Sequence, residues 1–245
     1  MRAFAYAEPR TLDAAVRELA EGGRLLAGGT DLLVQLRRQR TAAGRVVNLK
    51  RIPGLHDIIE EKHRTRIGAL ATIADLARLH RHPLLVAAAL SMASPQVRAL
   101  ATAGGNLCNA SPAADLAPPL LCLDAVLKTT ERSIPIGEFF VGPGRTALRA
   151  GEILTEIEVP ATPGRGTFLK FSPRRAMDLA IVSVACFRSN GTTRVALGAV
   201  APVPLLVEPR DAVAGCAPID DLRASAEYRR HLVGVLVRRA LEATS

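Results

Sequence analysis

Aromatic residues are scarce in this sequence: they make up 3% of its 245 residues, and tryptophan is absent. Proteins that hold single-stranded nucleic acid usually stack its bases on aromatic side chains. This scarcity argues against nucleic-acid binding, although 32 Lys and Arg against 23 Asp and Glu give a formal net charge of +9. An acidic partner or an anionic cofactor would fit that charge, but arginine-rich stretches such as residues 228–230 are better explained as solvated helix faces.

The four cysteines are isolated from one another, and no two of them form a C-x-x-C pair. Their spacing excludes a zinc knuckle and a ferredoxin-type iron–sulfur cluster. The five histidines lack the i, i+4 partners of a helical metal site. We therefore expect no metal on this chain, and we expect reduced, mostly buried thiols at Cys108, Cys122, Cys186 and Cys216.

Long apolar runs are also missing, and none approaches the roughly 20 residues that a membrane span requires. The first residues carry no uninterrupted apolar segment after their positive charge, so they do not resemble a secretory signal. The sequence therefore predicts a cytoplasmic protein without a membrane span. Its 49% apolar residues suffice to bury a core.

The pattern of apolar and turn-forming residues predicts an α+β protein in three parts. Residues 1–56 read as an α/β lobe: a helix capped by Thr11, a strand at 25–27, a helix at 32–39 and a strand at 46–49. Residues 57–162 alternate short strands and helices, and the boundary near 160–166 is rich in Pro and Gly. Residues 163–245 contain strands of a mostly antiparallel sheet and a closing helix at 225–243.

A Gly-Gly-Thr-Asp turn at Gly28–Asp31 joins the first predicted strand to a helix. Unhindered backbone N–H groups at a helix N-terminus favour a phosphate group. The simpler alternative is a plain turn in which Thr30 or Asp31 caps the helix. Since the turn does not follow G-x-G-x-x-G, it does not indicate the dinucleotide-binding fold of dehydrogenases.

A second glycine pair, Gly104-Gly105, lies in a stretch that we interpret as a polar loop, residues 101–115. Its short donors and acceptors could bind ribose, phosphate or a polar ring, or could simply satisfy a buried loop. Two such segments in one chain favour a ligand with two phosphates and polar extensions.

At residues 27–31, 102–107 and 111–115 the sequence closely resembles the paired flavin motifs of the FAD-binding subunit of molybdenum hydroxylases, the xanthine dehydrogenase and carbon monoxide dehydrogenase family. The resemblance continues at residues 151–154, at Lys170 with 172–175, and at 225–229, in the family's order. It departs at residues 204–221, a stretch that is shorter than in the family.

The resemblance implies a two-lobed FAD-binding domain of the vanillyl-alcohol oxidase type, over 1–56 and 57–162, followed by a small, shortened α+β domain at 163–245. It also implies that the first segment wraps the FAD pyrophosphate, that the second closes over the phosphates and flavin tail, and that Lys170 approaches the pyrimidine edge of the flavin. There the positive charge would stabilise a reduced, anionic flavin and raise its reduction potential. The implied cofactor-binding residues are Leu26, Ala27, Gly28, Gly29, Thr30, Asp31 and Leu32, then Ala101, Thr102, Ala103, Gly104, Gly105 and Asn106, and then Ser111, Asp115, Ile153, Leu154 and Lys170.

The function implied is electron transfer. An iron–sulfur subunit would deliver electrons from a large molybdenum-cofactor subunit, non-covalently bound FAD on this chain would pass them to an external acceptor, and the complex would be a dimer of heterotrimers. The [2Fe-2S] clusters and the molybdenum cofactor would lie only on the partners. Two alternatives stay open: a self-contained FAD-dependent oxidase of the same fold, and a non-catalytic nucleotide-binding scaffold.

Overall fold

The computed structural model of the protein describes residues 2–174 and 177–245. Arg175, which belongs to one of the resembling segments, lies outside the described residues. The described helices and strands form three consecutive groups, each built on its own sheet. Among the described residues, no helix combines the length and the hydropathy needed to cross a membrane.

The first group is a small parallel sheet with two helices. Its elements are β1 (Ala5–Ala7), α1 (Leu12–Ala20), β2 (Gly23–Leu26), α2 (Leu32–Arg37) and β3 (Arg45–Asn48), with strand order β1-β3-β2. The Thr11 side chain caps α1 by accepting a hydrogen bond from the backbone N–H of Ala14 at 3.2 Å. The elements predicted for this lobe are confirmed to within a few residues.

The second group is built on an antiparallel five-stranded sheet that pairs, in spatial order, residues 58–60, 64–68, 154–160, 126–129 and 133–135. It also contains short helices and a two-stranded sheet formed by residues 140–142 and 145–146. Its elements are β4 (Ile58–Glu60), β5 (Arg64–Gly68), α3 (Ile73–Leu76), α4 (Pro83–Ser91), α5 (Pro95–Arg98), α6 (Ala103–Cys108), α7 (Ala117–Cys122), β6 (Val126–Thr129), β7 (Ser133–Pro135), α8 (Ile136–Phe139), β8 (Phe140–Gly142), β9 (Arg145–Thr146) and β10 (Leu154–Pro160).

The third group is an antiparallel four-stranded sheet, as predicted, and it packs against other parts of the chain on both faces. Alternate residues of its strands point to opposite faces. Phe168, Ala185 and Phe187 pack into the core of the second group, whereas Val184 and Cys186 pack under the last helix. Its elements are β11 (Arg165–Phe171), β12 (Val182–Ser189), β13 (Thr192–Gly198), β14 (Leu205–Val207), α9 (Ala212–Gly215) and α10 (Ala226–Ala243).

Two features differ from the sequence-based expectations. The stretch around Gly104 and Gly105, interpreted as a loop, contains helix α6. Arg229, expected on a solvated face, is only 3% exposed and lies on the buried side of α10. In both cases contacts with distant parts of the chain override the local signal.

Candidate functional site

The backbone N–H groups of the turn at Gly28–Asp31 are the first feature of the candidate site. Within the described residues, no hydrogen bond engages the N–H groups of Gly28, Gly29, Thr30 or Asp31. Asp31 occupies the N-cap position of α2, but its side chain accepts no capping hydrogen bond. This geometry disfavours the plain capped turn and leaves a row of N–H groups at the start of a helix, which suits a phosphate oxygen.

The glycines of this turn are required by backbone geometry. Gly29 has φ +81°, which L side chains rarely adopt. A Cβ on Gly28 would lie 2.1 Å from the carbonyl oxygen of Leu100. The close approach at Gly28 brings the first glycine segment directly against the start of the second one.

Further contacts hold the two glycine segments together. A Cβ built on Gly105 would lie 3.7 Å from the Cβ of Ala27. Apart from the atoms of α6 and its N-cap, Thr102, this is the nearest atom. The Gln35 amide of α2 donates to the Asn109 side chain at the end of α6, at 3.4 Å. The sequence-based expectation that the two segments contribute to one site is therefore supported by their contact in the fold.

The first turn of α6 differs from the turn at 28–31, because its donors are already engaged. The N–H of Ala103 donates to the Ala71 carbonyl at 2.9 Å, and that of Gly104 donates to the Ala69 carbonyl at 2.8 Å. The N–H of Gly105 donates to Oγ1 of its N-cap, Thr102, at 3.2 Å. A ligand contact from this turn would therefore come from side chains.

Residues 69–71 were not predicted as part of the site, yet they connect its segments. Ala69 accepts from Gly104, and its own N–H donates to the Thr155 carbonyl at 2.9 Å. Leu70 and Ile153 share one apolar cluster, against which Ala27 packs. Alanine and leucine carry no polar signal in a sequence, so only the fold reveals this role.

Lys170 and Asp115 form an ion pair in which both side chains are 7% exposed. The Lys170 Nζ lies 2.7 Å from Oδ2 of Asp115 and 3.5 Å from the Ser91 carbonyl oxygen. Burial raises the pKa of Asp115, and the nearby ammonium group opposes that rise. Oδ1 of Asp115 is buried without a hydrogen-bond partner among the described residues, and so is Oδ1 of Asn106.

Ser183 is a further polar residue beside this pair that the sequence did not single out. It lies directly opposite Lys170 in the β11–β12 register, so the two side chains share a sheet face. Its Oγ is buried and has no hydrogen-bond partner among the described residues. Buried polar atoms of this kind need an explanation, and a ligand or an ordered water would supply one.

The sequence also predicted Ser111, Ile153 and Leu154 for the site. Ser111 uses its Oγ to accept from the Ala113 N–H at 3.2 Å, which shapes the turn before Asp115. Ile153 and Leu154 are buried at the start of β10. Two contact groups therefore emerge, one around both glycine segments and one around Lys170, and α6 with residues 109–115 connects them.

Comparison with known proteins decides the family. The sequence model described as "FAD binding domain in molybdopterin dehydrogenase" matches residues 2–162, which is more than half of the chain. The chain belongs to this molybdopterin dehydrogenase FAD-binding family.

Relatives of this family match nearly the whole chain. The xanthine dehydrogenase FAD-binding subunit of Escherichia coli O157:H7 is 33% identical over 96% of this chain and 94% of its own length. The carbon monoxide dehydrogenase medium chain of Hydrogenophaga pseudoflava is 33% identical, over 98% and 96%. A solved structure of carbon monoxide dehydrogenase from that organism matches with a TM-score of 0.95 at 30% identity, covering 99% of this chain and 97% of its own.

These alignments also bear on the length of the chain. The alignment with the Escherichia coli subunit runs over 274 residues, whereas the chain has 245. The relatives therefore carry residues that this chain lacks.

The geometry fits the FAD of this family. The N–H groups at 28–31, which no described residue engages, suit a diphosphate. The oxygens of Asn106 and Asp115 that have no partner among the same residues suit polar groups of a ligand. Ile153 belongs to the apolar cluster against which Ala27 of the first segment packs.

Proposed function

We propose that this chain is the FAD-binding electron-transfer subunit of a molybdenum hydroxylase complex, an oxidoreductase. It would take electrons from the iron–sulfur clusters of a partner subunit and pass them to an external acceptor. The observation that carries the proposal is the row of unused N–H groups at Gly28–Asp31, held against the second glycine segment. When bound, FAD supplies a centre that can hold one or two electrons, which suits this place in the relay.

The residues of the chain have distinct roles in this proposal. The backbone from Leu26 to Leu32 binds the diphosphate, since its N–H groups and the start of α2 favour negative charge. Side chains of the second segment, from Ala101 to Asn106, and of Ser111 bind polar parts of the cofactor, because the first N–H groups of α6 are occupied.

Asp115 and Lys170 act as a pair. Asp115 uses its unpartnered oxygen toward the ribityl or diphosphate region, while Lys170 holds a positive charge near the flavin's pyrimidine edge. Ile153 and Leu154 pack against a ring of the cofactor and exclude water from it. A buried cation near the ring system would favour the reduced form of the cofactor.

The same proposal includes the organisation of the protein. Residues 1–56 and 57–162 form the two lobes of the FAD domain, and residues 163–245 form a smaller domain. The partners are an iron–sulfur subunit and a large molybdenum-cofactor subunit, assembled in the cytoplasm as a dimer of heterotrimers. A self-contained oxidase is disfavoured, because the chain covers 94% to 96% of relatives that are themselves named as a subunit and a medium chain.

The first experiment is to purify the chain and identify its cofactor. We expect a yellow protein that releases FAD rather than FMN on denaturation and contains neither iron nor molybdenum. A colourless protein that also fails to take up added FAD would contradict the proposal.

The second experiment tests electron transfer in the assembled complex. Removing FAD should leave substrate able to reduce the iron–sulfur centres but should stop the reduction of the external acceptor. Adding FAD back should restore it. If the FAD-free complex turned over with the same acceptor at an unchanged rate, the chain would not carry the electrons.

A further inference from the structure

The last helix, α10, contributes a buried arginine, Arg229. Arg229 lies in the first turn of α10, and its side chain is 4% exposed. Its guanidinium group donates to the carbonyl oxygens of Ile181 at 2.7 Å and Ala199 at 3.1 Å. Asp221 accepts from the same group at 2.7 Å, which fixes its orientation.

Each of the two carbonyl groups belongs to a residue whose N–H reaches the candidate site. The Ile181 N–H donates to the carbonyl of Phe171, the residue that follows Lys170, at 2.8 Å. The Ala199 N–H donates to the carbonyl of Pro112, three residues before Asp115, also at 2.8 Å. One guanidinium group therefore holds both the strand that carries Lys170 and the loop that carries Asp115.

The backbone at Ala199 supports this interpretation. Ala199 has φ +63°, a left-handed conformation that a non-glycine residue adopts at a cost. Its N–H and its carbonyl are both engaged, by Pro112 and by Arg229. The surrounding contacts therefore impose this conformation, and Arg229 is one of them.

Stability alone does not explain a buried arginine at this position. Apolar residues of similar volume often replace buried ionic groups without loss of stability. Here Nε of Arg229 is buried without a hydrogen-bond partner among the described residues, which adds to the cost of burial. The advantage of arginine at this position is its set of donors, because a planar guanidinium group can bind several oxygens in fixed directions.

We propose that Arg229 is a positioning residue for the flavin site, which fixes the Lys170–Asp115 pair through the backbones of Ile181 and Ala199. This inference rests on the proposed function, because the pair must lie beside the flavin for its position to matter. It assigns to α10 an indirect effect on the cofactor, exerted through the backbone of the third sheet.

The test compares Arg229→Met, which keeps much of the volume, with Arg229→Lys, which keeps the charge without the planar set of donors. Arg230→Met is the matched control, because Arg230 is the next residue of α10 and is exposed. For each full-length protein, the Kd for FAD, the reduction potential of bound FAD and the unfolding of the FAD-free protein are measured. We expect both Arg229 variants to raise the Kd about tenfold and to make the potential more negative, whereas the control leaves both unchanged.

A double variant separates positioning from a general loss of stability. If Arg229 acts through the Lys170–Asp115 pair, Arg229→Lys should shift the potential in the parent protein but should have a smaller effect in a Lys170→Met background, where the pair no longer exists. Equal shifts in both backgrounds would overturn the proposal. A folded Arg229→Lys protein with the parent's Kd and potential would also overturn it, and this variant decides the matter if Arg229→Met does not fold.

Failure of this inference is distinguishable from failure of the proposed function. A parent protein that binds no FAD contradicts the proposed function. A parent and an Arg230→Met control that bind FAD normally, together with unaffected Arg229 variants, contradict only the role of Arg229.

Discussion

The ammonium group of Lys170 lies 2.7 Å from a carboxylate oxygen of Asp115, although 55 positions separate the two residues in the chain. Both side chains are nearly buried, so each charge depends on the other for compensation. The pair joins the loop after α6 to a strand of the third sheet. It therefore couples the part of the chain that matches the FAD-binding family, residues 2–162, to the part that follows.

Replacing Lys170 by methionine should be far more costly than removing an exposed lysine. Lys170→Met leaves the Asp115 carboxylate buried and unpaired, which should lower the free energy of unfolding by roughly 3–5 kcal/mol at neutral pH. Lys128→Met is the control, because Lys128 is 38% exposed in its ion pair with Glu158 and should cost about 0–1 kcal/mol. Denaturant unfolding measures both, and equal losses would contradict the importance of burial.

The Lys170→Met variant should also respond to pH. Burial already raises the pKa of Asp115, and loss of the cation should raise that pKa further. An acid whose pKa is higher in the folded than in the unfolded protein binds a proton on folding, so acidification stabilises the folded state. Relative to the parent, the variant should therefore regain stability as the pH falls toward the raised pKa of Asp115. A constant difference across the acidic range would contradict this.

Gly28→Ala should disturb both the fold and the cofactor site. The added Cβ would lie 2.1 Å from the Leu100 carbonyl oxygen, so one of the two glycine segments must move. We expect a loss of about 1–3 kcal/mol in the free energy of unfolding and weaker FAD binding. Gly44→Ala is the matched control, because a Cβ there meets no atom within 4 Å. If Gly28→Ala matched that control in both measurements, the close contact would not matter.

Glu152→Gln tests the turn that leads into β10. Glu152 accepts hydrogen bonds from the Thr129 hydroxyl at 2.6 Å, from the Arg149 N–H at 2.7 Å and from the Arg132 guanidinium group at 3.1 Å. Burial raises the pKa of Glu152, but these hydrogen bonds outweigh it and the pKa lies below its usual value of 4.5. We expect the variant to lose about 1–3 kcal/mol of unfolding free energy at neutral pH.

The pH dependence of this loss has a definite sign. An acid with a lowered pKa in the folded state contributes stability above its unfolded pKa, and this contribution disappears as the pH falls through the folded value. The difference in unfolding free energy between the parent and Glu152→Gln should therefore become smaller as the pH falls below 4.5, the usual pKa of a glutamate. Glu131→Gln, at an exposed ion pair with Arg149, should show neither the loss nor the pH effect. A Glu152→Gln loss that persists in acid would contradict the role of the charge.

His82 should make the fold sensitive to mild acid. Its ring lies 2.8 Å from the Thr65 hydroxyl in a buried position, and burial lowers its pKa below the usual 6.5. A base with a lowered folded pKa costs stability as the pH falls from its unfolded pKa toward the folded value. His82→Gln should therefore reduce the loss of stability between pH 7 and about pH 5. His56→Gln is the exposed control, and identical pH profiles for all three proteins would contradict the prediction.

Much of the candidate site was predictable because its signals are local. A glycine pair followed by Thr and Asp before an apolar helix predicts the turn at Gly28–Asp31, and Thr11 predicts the start of α1. The interpretation of residues 101–115 as a loop was wrong in part. Two adjacent glycines cost about 1 kcal/mol each in a helix, so the sequence alone disfavours α6. In the structure, α6 lies so close to residue 69 that a Cβ on Gly104 would be 2.7 Å from the Ala69 carbonyl oxygen. Only glycine allows this approach.

The sequence by itself determined the strand-turn-helix segments, the family and the residue types that can meet a flavin dinucleotide, because these depend on neighbours within a few positions. Only the tertiary structure decided which N–H groups stay free, which charge compensates Lys170, and that Arg229 is buried rather than solvated. The reason is physical: hydrogen-bond satisfaction and burial depend on residues that are distant in the chain and meet only after folding.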